Sequence, residues 1–438
     1  MITIKDGIVL KGLDLKPVKE NILICDGKIL EISPNVLEGR IIDANNHIIY
    51  PSFLNAHTHL GDSIILDGGD GMPIEEIVKP PNGLKHKALL ESSDEVIIDS
   101  MKKSLWRLLK SGTTHVIDYR EGGLNGVKLL KEASKEFPIS TTILSRDEIF
   151  YDKDASSIEL KKIIKKLLKV SDGIAPSGFG EISDEVGFTI VEECKKANKI
   201  SSIHVGEYEY LQNDSLAKFG KTEIEKGIYQ GFDLLIHLTS PLNNDLDLIS
   251  KSLSSIVVCP RSNASFQLGL PPIANFIQRG VKPLIGTDNL MTNNPNLIRE
   301  MEYTLNASKA LYKIYISPLD ILKMACSNIV YNSIIFNSDN NFNSNFDNKF
   351  NNKFNDKFNN NGNSDSNFNN DINSNFTDIN SIVKKTIIEE GNEPQFFIAK
   401  SISKNHYLNI INRVEITDIA YVFNKNAFVH DDIIEDIF

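Results

Sequence analysis

The chain has few cysteines and none in a metal-binding spacing: Cys25, Cys194, Cys259 and Cys326 are scattered over 438 residues with no Cys-x-x-Cys. That argues against a thiolate zinc site and a disulfide framework, and fits a reducing compartment. There is no block of basic residues either. Lys and Arg number 47 against 58 Asp and Glu, a net charge of -11, which is a poor surface for a polyanion. Nucleic acid is therefore not an expected partner, and a small-molecule substrate is. No apolar run reaches the roughly 20 residues that cross a bilayer. Lys5 and Asp6 interrupt the N-terminus before a signal-peptide core can build up. The expectation is a cytoplasmic protein with no membrane partner, for which a homo-oligomer is one option.

Hydrophobic residues make up 41% of the chain, enough for a large core. Residues 1–50 read as short strands, with a hairpin turn at Asp26-Gly27. From 51 to 336, apolar strand runs alternate with amphipathic helical stretches. Eight such runs can be read: YPSFLNAH, THVIDYR, ISTTILSR, DGIAPSG, ISSIHVGE, LLIHLTS, SIVVCPRS and VKPLIGTD. Eight βα repeats in this length predict a (β/α)8 TIM barrel, an α/β fold. Residues 337–380 are rich in Asn, with Phe at 342, 346, 350, 354 and 358. They lack the aliphatic residues of a core and read as a low-complexity disordered insertion. After it, QFFIAKS, HYLNIINRVEI and IAYVFNKNAFVHD read as strands. Residues 381–438 would then join residues 1–50 in a composite β-sandwich into which the barrel is inserted.

Chemistry in such a barrel sits at the C-terminal ends of the strands. The first run ends in NAHTHL, where His57 and His59 share a face if the run is a strand. Two imidazoles do not close a metal site. The fifth run adds His204, with Glu207 three residues on in HVGE. The sixth adds His237 and the eighth Asp288 in GTDN. A lone His237 would ordinarily be a satisfied core histidine, and a lone Asp288 a turn or cap residue. Their common location at one rim makes a metal site the better reading. Arg120 and Glu121 after the second run, Arg146 after the third and Arg261 after the seventh could form ion pairs. Alternatively, one or two of the arginines could recognise an anionic or carbonyl-bearing substrate. His47, His115, His406 and His430 fall outside the rim and read as structural or solvated.

With NAHTHLGDS, SGTTHVIDYREGG, HVGE, CPRSN and GTDN in place, the chain resembles the amidohydrolase superfamily. Within it, the likeness is to the branch of cytosine deaminase-like, chlorohydrolase-like and adenosylhomocysteine deaminase-like enzymes. The resemblance implies that His57, His59, His204 and Asp288 hold one divalent metal, zinc or else iron. It implies catalytic roles for Glu207, His237 and Asp288 in hydrolysis of a carbon–nitrogen bond other than a peptide bond. Deamination of a nucleobase- or nucleoside-like heterocycle is the leading expectation. Hydrolysis of a cyclic amide, or displacement of chloride, at the same site is the alternative, and a non-catalytic scaffold a third. A metal can lower the pKa of bound water from 15.7 to about 7. A carboxyl such as Glu207 can protonate a ring nitrogen and then the leaving amine, while His237 could orient the hydroxide or polarise the developing oxyanion and Asp288 could accept the water proton.

The run DGIAPSG ends without the lysine that a carbamate-bridged binuclear relative needs, so one metal is expected. Pro51-Ser52 replaces the usual Pro-Gly. Adenosine-type relatives use a glutamate after the first strand and a histidine after the fourth. This chain offers His86, in PPNGLKH, and Ser177. His86, Arg120 and Arg146 are the expected substrate contacts.

Overall fold

In the computed structural model, seven runs lie side by side in chain order as parallel strands: Phe53–His59, Thr113–Arg120, Ser140–Ser145, Gly173–Ile174, Ile200–Val205, Leu234–His237 and Ser255–Val258. The eighth position is divided between Leu284–Ile285 and Asp288–Asn289. Val257 and Val258 pair with the first piece, and Thr58 and His59 with the second, so the step at Gly286-Thr287 closes the ring. The structure describes residues 1–330 and 387–437. The Asn-rich segment expected at 337–380 lies outside them.

Side-chain alternation sorts the barrel into two layers. Leu54, Ile117, Tyr119, Leu144, Leu234, Ile236, Val257 and Leu284 meet inside. Ile203, Val205, Leu235, Ile256, Val258 and Ile285 face outward against helices such as Ser157–Leu168 and Asp184–Lys196. Each buried Ile or Leu contributes about 1.5–3 kcal/mol. The outer helices start where the sequence provides caps. Ser156 and Glu159 form a reciprocal capping box, and Ser93 accepts the Val96 N–H.

Two further sheets belong to the ends of the chain. One is wholly N-terminal, ordered Lys28–Ser33, Asn21–Cys25, Ile2–Lys5 and Arg40–Asp43. Its hairpin turns at Asp26 and Gly27, which have φ of 49° and 71°, as a type I′ turn requires. The other mixes Ile8–Lys11, Lys16–Lys19 and His47–Pro51 with Gln395–Lys400, Ile419–Asn424, Ala427–His430 and Ile433–Asp436. Ile4, Ile22, Ile24 and Ile42 from the first sheet share a core with Val9, Ile49, Phe396, Phe423 and Phe428 from the second. The strands from the two ends of the chain thus meet in one sheet.

One strand reading is corrected. Residues His406–Asn412, inside HYLNIINRVEI, are an α-helix. Asn405 caps it by accepting the Tyr407 and Leu408 N–H groups. Asn409 then ties it to the sheet, donating to Tyr50 Oη at 3.1 Å. The local cap and this docking outweigh the β preference of Ile410-Ile411.

Candidate metal centre and active site

Four elements bring the rim residues together by distinct local means. In Phe53–His59 the register against the neighbouring strand shifts between Asn55 and Thr58. A bulge of this kind re-aims side chains, and His57 and His59 both turn toward His204: the ring centroids lie 5.0 Å apart for His57–His59 and for His57–His204. Asn55 zips the first strand to the eighth, its Nδ2 donating to Thr287 Oγ1 at 2.7 Å and its Oδ1 accepting the Thr287 N–H at 3.0 Å. Gly286 is required by that approach, because a Cβ there would lie 2.6 Å from His57 Cβ. His204 follows simple alternation, since Ile203 and Val205 face outward.

His237 does not follow it. It shares parity with Leu235, which points out of the barrel, yet its ring stands 5.2 Å from that of His204. Its φ of 77° places it in the left-handed region, where only the fixed strand on one side and the packed loop on the other hold it. Asp288 is also left-handed, with φ of 59°. Such backbone costs of order 1–3 kcal/mol per residue and is concentrated at functional sites.

The result is a buried cluster. Asp288 Oδ1 lies 3.1 Å from His57 Nε2 and 3.5 Å from His59 Nε2. Ligand atoms of His57, His59 and His204 fall within 4.8 Å of one another, as do those of His57, His237 and Asp288. Burial works against the Asp288 anion, but the neighbouring His57, and then His237 and His59, keep its carboxyl well below the usual range. Burial first, then His57, holds His204 neutral. Neither nitrogen of His57 nor Nδ1 of His204 has a hydrogen-bond partner, although all are buried. Unpaired buried nitrogens are costly, and neutral imidazoles with one carboxylate are a divalent-metal donor set. The residues present therefore fit a metal ion.

Glu207 stands at the same point, Oε1 3.5 Å from His237 Nε2. Burial, and then the charge of Asp288, raises its carboxyl well above the usual range. Glu207, His237, His59, His204 and Asp288 line one cleft, open at its mouth, with Arg146, Ser177, Glu181, Tyr208, Glu223 and Phe266 in its wall.

Behind His59 lies a charge network in which Arg120, Glu121 and Arg146 form ion pairs, as one reading of the sequence expected, together with Lys85, Asp62 and Asp118, which sequence reading did not single out. Lys85 Nζ donates to Asp62 at 3.0 Å and to Glu121 Oε1 at 2.8 Å. Arg146 Nη2 reaches the same Glu121 oxygen at 2.8 Å. Arg120 pairs with Glu121 Oε2 at 2.8 Å and with Asp118 at 3.5 Å. Three cations thus offset three carboxylates, and Glu121 Oε1 faces His59 Nδ1 at 3.0 Å. Arg146 Nη2 also lies 3.0 Å from that Nδ1, and an Nδ1–H donated in a hydrogen bond to Glu121 leaves Nε2 free as a ligand. Burial opposes the Glu121 anion, but Arg146 and Lys85 hold it well below its ordinary range.

Of the expected substrate contacts, Arg146 lines the cleft, with Nη1 also donating to Ser177 Oγ at 2.9 Å. Arg120 and His86 do not. They line a neighbouring cavity, His86 with Nε2 3.1 Å from Val78 O. Tyr119 points inward against His57 at 4.0 Å, so the next residue, Arg120, points outward. Arg261 donates from its backbone N to Glu300 and from Nη1 to Asn294 O. Among the histidines set apart from the rim, His115 meets Thr142 Oγ1 and His430 meets Glu435. All four cysteines are free, and no described helix is long and apolar enough to cross a membrane.

Comparison with known proteins agrees with this architecture. Residues 48–331 match the model of the Amidohydrolase family. A protein of Methanothermobacter thermautotrophicus, provisionally named an aminohydrolase, is 39% identical over 430 residues, which cover 98% of this chain and 99% of that one. The 5-methylthioadenosine/S-adenosylhomocysteine deaminase of Thermoanaerobacter pseudethanolicus is 25% identical over 346 residues, 75% of this chain and 79% of the relative. Among solved structures, the zinc complex of atrazine chlorohydrolase from Arthrobacter aurescens superposes with a TM-score of 0.74 at 15% identity, covering 97% and 94% of the two chains. At that identity the likeness speaks for the fold.

Proposed function

The chain belongs to the amidohydrolase family, and from that premise we propose that it hydrolyses an amino group from an aminated heterocycle, releasing ammonia, with one zinc ion held by His57, His59, His204 and Asp288. When bound, the ion supplies the Lewis acidity that makes a water molecule nucleophilic at neutral pH. In this reading residues 51–336 are the catalytic domain, and residues 1–50 with 381–438 are its supporting sandwich. Four unpaired cysteines fit a cytoplasmic home.

The observation that carries the proposal is the position of Glu207, with Oε1 3.5 Å from His237 Nε2 beside the ligand cluster. A carboxyl placed there, with its pKa raised by burial, is the acid that deamination needs. Its proton goes to the ring nitrogen next to the attacked carbon as water adds. The resulting carboxylate takes a proton from the added water and passes it to the amine, so that the C–N bond breaks with ammonia leaving and a ring carbonyl remaining. Asp288, held as an anion, can serve as the other proton acceptor, and His237 faces the developing oxyanion. Arg146, with a buried Nε that lacks a partner, can donate to an acceptor group on the ring.

The test is metal analysis of the purified protein, together with assays of ammonia and chloride release over aminated and chlorinated heterocycles. The proposal expects one zinc per chain and ammonia from at least one aminated ring. Chloride release alone would replace deamination by halide displacement, and a chain that copurifies with no metal and cannot be loaded with any would end both.

A further inference from the structure

Two adjacent residues on the short helix Pro260–Ser265, at the end of the seventh strand, each touch a different residue of the site. Ser262 Oγ donates to Asp288 Oδ2 at 2.5 Å, leaving Oδ1 toward His57 and His59. Asn263 Nδ2 lies 3.1 Å from His237 Nδ1. Both are fully buried. Asn263 Oδ1 has no partner, so the side chain contacts the site through its amide nitrogen.

We propose that Asn263 is a positioning residue that fixes the tautomer of His237, placing the ring proton on Nε2 and thereby keeping His237 out of the metal ligand set. A neutral imidazole carries one proton, on one nitrogen or the other. An amide N–H pointed at Nδ1 requires a lone pair there, so Nε2 bears the hydrogen and faces Glu207 Oε1 at 3.5 Å. A protonated nitrogen has no lone pair for a metal, yet by distance alone His237 qualifies as a ligand with His57 and Asp288. The hydrogen bond on the far side of the ring resolves that ambiguity. His59 is set the opposite way: Glu121 accepts a hydrogen bond from its Nδ1–H, which frees Nε2. One carboxylate and one amide thus assign a ligand role to the first imidazole and a donor role to the second. The inference rests on the proposed reaction only for what the Nε2 proton does, not for where it is.

The decisive variants are Asn263→Asp and Asn263→Ala. Aspartate is nearly isosteric but only accepts, so it draws the proton to Nδ1 and leaves Nε2 bare. In a catalytic triad, a wrong histidine tautomer with intact geometry costs about 10⁴ in turnover. Turnover of Asn263→Asp should fall by roughly 10²- to 10⁴-fold, while zinc, measured by competition with a chelator, is held at least as tightly as in wild type. Asn263→Ala imposes neither tautomer and should lose less. A packing role alone predicts the reverse order, with alanine the more damaging. Independently of any substrate, ¹⁵N-histidine spectra of the full chain, assigned with His237→Gln, should show Nε2 protonated in wild type and Nδ1 protonated in Asn263→Asp. Wild-type protein with the proton on Nδ1 would overturn the proposal even if the enzyme proves to be a deaminase. A correct tautomer in a chain that releases no ammonia would leave it standing and remove the deaminase reading instead.

Discussion

Burial raises the pKa of both the Glu207 and the Glu300 carboxyl, and the two separate the proposed catalytic use of that property from its cost in stability. Replacing Glu207 with Gln keeps size and hydrogen bonding but removes the transferable proton, so turnover should fall by roughly 10²- to 10⁴-fold with metal content unchanged. Steady-state ammonia release and elemental analysis of the same preparation check it. Glu300 accepts the Arg261 N–H at 2.9 Å through Oε1, whereas Oε2 is buried without a hydrogen bond, 3.6 Å from Arg261 Nη1. Burial pushes its pKa up to about 7. An acid whose folded pKa lies above its unfolded value binds more protons when folded, so its cost is absent below about pH 4.5 and grows as pH rises toward 7. Glu300→Gln should therefore stabilise the chain by on the order of 2 kcal/mol at pH 8 and by little at pH 4.5. Denaturant titrations at the two pH values decide it, and an equal gain at both would point to packing. The clustering of His57, His59, His204 and Asp288 was legible from sequence because each ends an apolar strand run at a shared rim. Arg120 was misplaced because a one-residue offset from Tyr119 reverses the direction of a strand side chain, and the run THVIDYR gives no sign of which residue faces in.

The segment between the first two barrel strands shows what an element can hide. Leu84–Glu91 is a helix, and Lys85 within it is only 3% exposed. Nothing in its spacing announces this, because the partners Asp62 and Glu121 lie 23 and 36 residues away. Burial works against the Lys85 charge, but Asp62 and Glu121 reverse the balance and raise its pKa. The helix is thus pinned to the barrel by a fully desolvated ion pair, and the same Glu121 oxygen orients His59. Lys85→Met should leave two buried carboxylates undercompensated, at a cost of about 3–5 kcal/mol. Loosening of Glu121 should also weaken metal binding by roughly 10- to 100-fold. Chemical denaturation and zinc titration of the same variant test the two effects. Lost stability with unchanged zinc affinity would show that the network braces the helix without governing the ligand.

At the scale of the molecule, the strand Gln395–Lys400 holds barrel and sandwich together. Its side chains alternate between two cores: Phe396 and Ile398 enter the sandwich, whereas Phe397 and Ala399 join the layer outside the barrel. Phe397 stacks on Tyr50 at 5.3 Å and meets Phe53 at 4.8 Å, straddling Ser52, where the chain passes from sheet to barrel. It also covers Gly112, where a Cβ would lie 2.7 Å from its ring. The sandwich is therefore a structural extension of the barrel and should unfold with it. Phe397→Ala should cost about 3–5 kcal/mol. The single tryptophan, Trp106, sits on the barrel helix Asp94–Lys110 and packs against the core outside the barrel, so its fluorescence follows that barrel helix, while far-ultraviolet circular dichroism reports on the whole chain. Both midpoints in urea should shift downward together. A circular dichroism midpoint that moves while the Trp106 midpoint stays would mean that the two units unfold separately and that residues contributed by the C-terminal strand do not stabilise the barrel carrying the site.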